Sequence, residues 1–238
     1  MIAGVEPDAS PSRTPDDLLL FELGRRVLRR DVERVAAFVE GLHAGTRHLD
    51  QRRHAVFADL VEELCDDLVG ELGFEDALVW PLLEHHAPGA LPYPSLRQEG
   101  AALVALVAEA RRSTRSVNAD RARRPAAVAT SDDHRRLRGL ATAWRQLADA
   151  LGAFFAASTG PVVETVHARV PAGDWRRVLD VVRESLPDAR SAGARVIELA
   201  TPQEVERLRG QLGPRPLAGW ERHGRRLRAR QDDVFGRS

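Results

Sequence analysis

From residue 18 the apolar positions step by three and four: Leu18, Phe21, Leu28, Val32, Val35, Val39 and Leu42 form one stripe. That spacing places side chains on one face of an α-helix. The same rule gives Phe57, Val61, Leu64, Leu68, Leu78 and Leu82, then Leu96, Leu103, Val107, Ala110 and Val117, then Leu137, Leu140, Trp144, Leu147, Leu151 and Phe154. It predicts helices over about 15–42, 49–86 and 95–117, and a fourth from a Thr130 or Ser131 cap. The stretch HAGTRH ends the first and APGALPYP stops the second, because Gly and Pro punctuate helices. Asp132 and Asp133 suit the dipole at the start of the fourth. Pro81 is expected to kink the second helix, and Gly160 with Pro161 to interrupt the fourth before it resumes to about Val170.

Alternating Val, Ile or Thr runs are missing and aromatics are only 5% of residues, so strand signals are nearly absent. The fold expected is all-α, an up-down-up-down four-helix bundle with a short helical C-terminal extension. Residues 1–14 read as a disordered tail, 15–170 as the bundle and 171–238 as the extension packed on it. Pro187, Pro202, Pro214 and Pro216 divide that extension into pieces that read as too short and mixed for a second core.

Charges interrupt two of the stripes. Arg25 stands on the first seam, and Glu71 and Glu75 occupy consecutive seam positions of the second, one turn apart on one face. A charge at such a position costs several kcal/mol unless paired, so the trio is either a satisfied ion network or a working site. Counting outward from the centre of the first loop brings Arg25 opposite Glu71. The other loops bring Glu75 toward Gly100, and Gly100 toward Phe154.

Composition narrows the partners. The 238 residues carry 35 basic and 35 acidic side chains, so no global field draws the chain to nucleic acid or to a membrane. Every one of the basic residues is arginine, which excludes Schiff-base lysine chemistry and a P-loop. The single Cys65 excludes an internal disulfide and suits a reducing cytoplasm, where it reads as a small buried apolar side chain. The first residues lack the basic start and apolar run of a signal peptide, and no stretch approaches 18 consecutive apolar residues. His85 and His86 read as caps at a helix end, His43, His48 and His54 as surface groups, and Glu164 with His167 as a solvated helix contact. The run RHGRRLRARQ reads as a solvated helix that packs Trp220 and Leu227 inward.

Three segments carry a resemblance: FEDALVWPLL at 74–83, RRVLRRDV at 25–32 and the stretch ending VPAGDW at 175. With them the chain resembles the hemerythrin-like family, four-helix bundles that hold two irons between their helices. The resemblance implies that fold, but not the metal. Arg25 stands where the family has a first-helix histidine, Glu71 and Glu75 where it has His-x-x-x-Glu, Gly100 for a third-helix histidine, and Phe154 and Ser158 for the second His-x-x-x-Glu. Only Glu75 matches the ligand pattern, so neither metal nor other cofactor is expected.

Replacing such ligands by glycine and serine is expected to leave a cavity in the bundle core. Its binding wall would include Gly100, Phe154, Ser158, Trp144, Leu68 and Leu78, and it would take a small apolar molecule. One arginine facing two glutamates leaves one carboxyl desolvated beside a like charge, and both effects raise its pKa. Glu71, opposite Arg25, is expected to be the ionised partner, leaving Glu75 as acid or base while Arg25 steadies an oxyanion. Cofactor-independent cyclisation, isomerisation or dehydration of an apolar specialised metabolite fits this trio. The alternative is a non-catalytic ligand-binding or regulatory protein in which a salt bridge has replaced the metal. The oligomeric state is left open.

Overall fold

A computed structural model describes residues 18–123, 131–185 and 190–236. The tail at 1–14, the Thr130 cap and Pro187 lie outside the described residues. Within them the chain is all-helical. The first helix, α1, spans Leu19–His43; α2 spans Gln51–Phe74, runs through a π-helical turn at Glu75–Val79 and continues as α3, Trp80–His86. Then follow α4 (Tyr93–Arg123), α5 (Ser131–Arg169), α6 (Ala172–Ser185), α7 (Arg190–Leu199), α8 (Pro202–Leu212) and α9 (Pro214–Phe235).

Local chemistry explains the boundaries. Asp50 caps α2, its side chain accepting from the Arg53 N–H at 2.8 Å. Thr201 and Glu204 form a reciprocal capping box at the start of α8. The two internal prolines are accommodated in different ways. Pro81 lacks an N–H and its ring crowds the carbonyl four residues back. The helix answers by widening, and the Trp80 N–H bonds the Glu75 carbonyl in a five-residue step. Pro161 does not interrupt α5, which continues unbroken to Arg169. The carbonyl it leaves without an N–H partner belongs to Ala157, on the exposed side where water can reach it.

Helix α1 packs chiefly on α5, α5 on α4, α4 on α2, and α2 on α1. The seam residues Leu28, Val32, Val39, Val61, Leu64, Leu103, Val107, Leu147 and Leu151 meet in this shared core. Cys65 lies within it, and burial pushes its thiol up to about 11, so it is an inert packing group. His54 is buried rather than superficial. Instead of capping its helix, His86 reaches Asp174 on α6 at 2.7 Å.

The C-terminal helices pack on α1 through a second apolar cluster, to which both sides contribute. Leu19, Leu23 and Val27 on the outer face of α1 meet Val196, Leu208 and Leu217. The unbroken apolar run at the start of α1 thus faces two layers, and each buried aliphatic side chain there contributes about 1.5–3 kcal/mol. Gly193 of α7 lies flat under Trp220 of α9, where a Cβ would fall 2.0 Å from a ring carbon. Arg53 donates to the carbonyls of Asp233 and Val234, and Arg47 to that of Phe235. Both satisfy backbone groups at the end of α9. Trp220 and Leu227 point inward as their spacing predicts.

A second buried ion network docks this layer. Arg195 of α7 is 2% exposed. It donates to Asp31 of α1 at 2.6 Å and to Asp67 of α2 at 3.1 Å. Asp31 also accepts from Arg30. Among the described residues no helix is long and apolar enough to cross a membrane.

Candidate functional site

Arg25 is 2% exposed and Glu75 is fully buried. The Arg25 Nε and Nη2 lie 2.8 and 2.7 Å from Glu75 Oε1, and Nη1 donates to Ser158 Oγ and Thr159 Oγ1, both at 2.9 Å. Those hydroxyls in turn donate to the carbonyls of Phe154 and Phe155. The rings of Phe21, Phe155 and Phe154 surround the guanidinium at 4.3, 5.0 and 5.7 Å, the distance range of cation–π attraction. The arginine therefore ties α1, the π-helical turn after α2 and α5 together within packed aromatic surroundings.

The ionic partner of Arg25 is Glu75 and not Glu71. Loop-centred counting treats residues as points on an axis, whereas helical side chains lean toward the N-terminus of their own helix. In an antiparallel pair those leans are opposed. Arg25 reaches back along α1 and Glu75 reaches back along α2, so they meet. Glu71 stands one turn earlier, with its carboxyl beside Gly24.

The result is a different placement of the free carboxyl. Glu71 is half-buried and sits against Gly24, where a Cβ would come within 3.8 Å of its Oε1. It has no hydrogen-bond partner among the described residues. It lies on the wall of a partly open cavity of about 580 Å³ lined by residues of α1, α2, α6, α7 and α9. That volume falls within the range of small-molecule sites. Phe21, Phe74, Trp175, Val178, Val196 and Trp220 supply much of the apolar lining. Burial, then the neighbouring Glu75 charge, push the Glu71 carboxyl up to about 8 against the opposing pull of Arg25. Asp67, on the same wall, is pushed up to about 6 by burial, with Arg195 opposing. Burial also raises Glu75, against Arg25.

The remaining predicted residues are not on this wall. Trp144 is fully buried and donates from Nε1 to Thr114 Oγ1 at 3.1 Å, and Leu68, Phe154 and Ser158 are buried in the packed interior. Gly100 and Leu78 are half-buried and also lie away from the cavity. The cavity forms between the long helices and the C-terminal layer, not at the centre of the long helices, because the aromatic rings and Arg25 fill that centre. Sequence reasoning missed Gly24, Asp67 and the C-terminal half of the wall. A usable signal existed in Trp175, Val178 and Val182, an apolar face at helical spacing that α6 turns to the cavity.

The positions that would hold iron in a hemerythrin-like site do not fit it. A guanidinium, already cationic, occupies one, and Phe154 and Ser158 supply a ring and a hydroxyl committed to a carbonyl. Among the described residues no group of three or more His, Cys, Asp or Glu side chains is placed to hold a metal ion.

The raised carboxyls make stability depend on pH in a defined sense. A group with a folded pKa above its unfolded value binds its proton more tightly when folded, so stability is greatest below the unfolded value and declines as pH rises through the folded one. Asp67 contributes from about pH 4 to about 6, and Glu71 from about 4.5 to about 8. Unfolding free energy should therefore fall across pH 6–8 by up to about 1 kcal/mol per pH unit through Glu71. Glu71→Gln should remove that part of the fall, which urea denaturation of both proteins at stepped pH will measure. Parallel curves would exclude a raised Glu71 pKa.

No family model, no curated protein and no solved structure matches this chain.

Proposed function

We propose that this chain is a metal-independent small-molecule enzyme of the cytoplasm, built on an up-down-up-down bundle of hemerythrin-like type. Its site is the apolar cavity beneath the C-terminal helices. The observation that carries this reading is Glu71, a carboxyl free of hydrogen-bond partners among the described residues on the wall of an otherwise largely apolar cavity. A carboxyl held protonated near neutral pH can hand its proton to a double bond or to a leaving hydroxyl, and the carboxylate can then take a proton back from a neighbouring carbon. Those two transfers add up to isomerisation, cyclisation or dehydration without a cofactor.

Arg25 and Glu75 serve in this reading as the salt bridge that has replaced a metal. Arg25 is not the oxyanion donor, because Glu75, Ser158 and Thr159 engage it in the interior. One observation favours the second reading, a carrier without turnover: the wall facing Glu71 is made by Trp175, Val178, Val196 and Trp220, with no polar side chain to act as its counterpart among the described residues.

Native mass spectrometry of the protein after incubation with a metabolite extract of its own cell tests both. Conversion of the retained compound, reduced about 100-fold or more by Glu71→Gln, is the expected result. Retention without conversion would select the carrier. Conversion unchanged in Glu71→Gln would reject Glu71 as the acid–base group.

A further inference from the structure

Charge is distributed unevenly around the cavity. In a chain with 35 arginines, the described lining contains Asp66, Asp67 and Glu71 and not one basic side chain. Asp66, at the rim, is engaged by Arg111. Deeper in, every other carboxyl has a cation: Arg25 takes Glu75, Arg195 is shared by Asp31 and Asp67, and Arg30 adds to Asp31. Glu71 is the one left over among these described groups. The charged groups that face it are Arg25 from α1, Asp67 from α2 and Glu75 from the π-helical turn. Among the described residues α6 and α9 add no charged lining, and Arg195 of α7 is held by its aspartates.

The apolar part of the wall has its own bias. Phe21, Phe74, Trp175 and Trp220 all contribute, with Phe21 and Trp175 edge to face at 6.4 Å. Aromatic faces beside a single unpaired carboxyl are the surroundings that recognise organic cations, since the ring quadrupole and the carboxylate both favour positive charge. An anionic ligand would meet Glu71 and Asp67, with no arginine to receive it among the described lining residues.

We propose that the ligand of this cavity is a hydrophobic amine, with its ammonium group paired to Glu71 and its apolar body among the tryptophans and valines. This rests on the cavity being the functional site and specifies the class of molecule it takes. It also sets a proton balance. At pH 7 the empty site holds Glu71 largely protonated, so a fixed cation must convert it to carboxylate and release about one proton per molecule bound. A neutral ligand of the same shape releases none.

Calorimetric titration with 1-naphthylmethylamine, 1-naphthylmethanol and 1-naphthoate separates the possibilities, because the three share one apolar body. The amine should bind about tenfold or more tightly than the alcohol, the naphthoate weakest. Glu71→Gln should bring the amine down to the level of the alcohol. Repeating the amine titration of the unmodified protein in two buffers of different ionisation enthalpy should reveal the released proton without recourse to a variant. Equal affinity for amine and alcohol, or an amine preference that survives Glu71→Gln, would overturn the amine inference and leave the cavity as a ligand site. Failure of all three to bind would overturn the cavity reading itself.

Discussion

Arg25→Met should lower the unfolding free energy by about 3–5 kcal/mol at neutral pH, because it strands a fully buried carboxylate. Glu75 already has one oxygen, Oε2, without a hydrogen bond among the described residues. Its other oxygen is held only by the guanidinium. Removing the cation leaves Glu75 two options, both unfavourable: to stay ionised in surroundings of aromatic rings, or to take up a proton from neutral water. The second option identifies the mechanism. The raised folded pKa of an unpaired Glu75 means that the loss should shrink as pH falls toward the ordinary carboxylate range, where protonation becomes free of cost. A cavity left by a lost side chain alone would be insensitive to pH. Arg25→Met combined with Glu75→Leu should recover most of the stability, since a buried ion pair exchanged whole for apolar residues is often neutral or better. Guanidinium denaturation at two pH values, completed as a double-mutant cycle, checks this. A double variant as unstable as the single one would show that the pair is required for more than its own neutralisation.

Arg195→Ala should cost about 3 kcal/mol, less than Arg25→Met for a specific reason. Asp31 keeps its bonds from Arg30 at 2.9 and 2.7 Å when Arg195 is lost. Asp67, already pushed up to about 6, can take a proton at modest cost. The larger consequence is local. Arg195 binds carboxylates of both α1 and α2 from α7, so its loss weakens the seating of the C-terminal layer. Leu19, Leu23 and Val27 then become accessible, and so does the cavity whose outer wall that layer supplies. The expected signature is increased binding of a hydrophobic fluorescent dye and faster proteolysis within α6–α9, at temperatures where the long helices remain folded. A single cooperative transition with no added dye binding would show that the two layers unfold as one.

These two networks differ in how visible they are in the sequence. Arg25, Glu71 and Glu75 interrupt regular stripes, so periodicity exposes them as charges in an apolar place. Asp31 sits beside the seam residue Val32, and Arg195 lies in a short helix whose pattern is indistinct, so neither breaks a rule that can be counted. Their burial follows only from the second apolar layer, in which the outer face of α1 is covered by residues more than 160 positions away. The pairing within the first trio was equally out of reach. Spacing placed Arg25, Glu71 and Glu75 near one another, but the choice between the two glutamates depends on the opposed leans of side chains on antiparallel helices.

The linear order of residues determined the helical character, the four long apolar stripes, the breaks between them and the presence of misplaced charge, because each is a property of neighbours within a turn or two. The three-dimensional arrangement alone decided which carboxyl is neutralised, which is left on a cavity wall, and where that cavity lies. Those outcomes depend on side chains up to 50 and 164 residues apart meeting at 2.8 and 2.6 Å. Contact energies fall off over a few ångströms, and no local periodicity encodes which distant groups arrive within them.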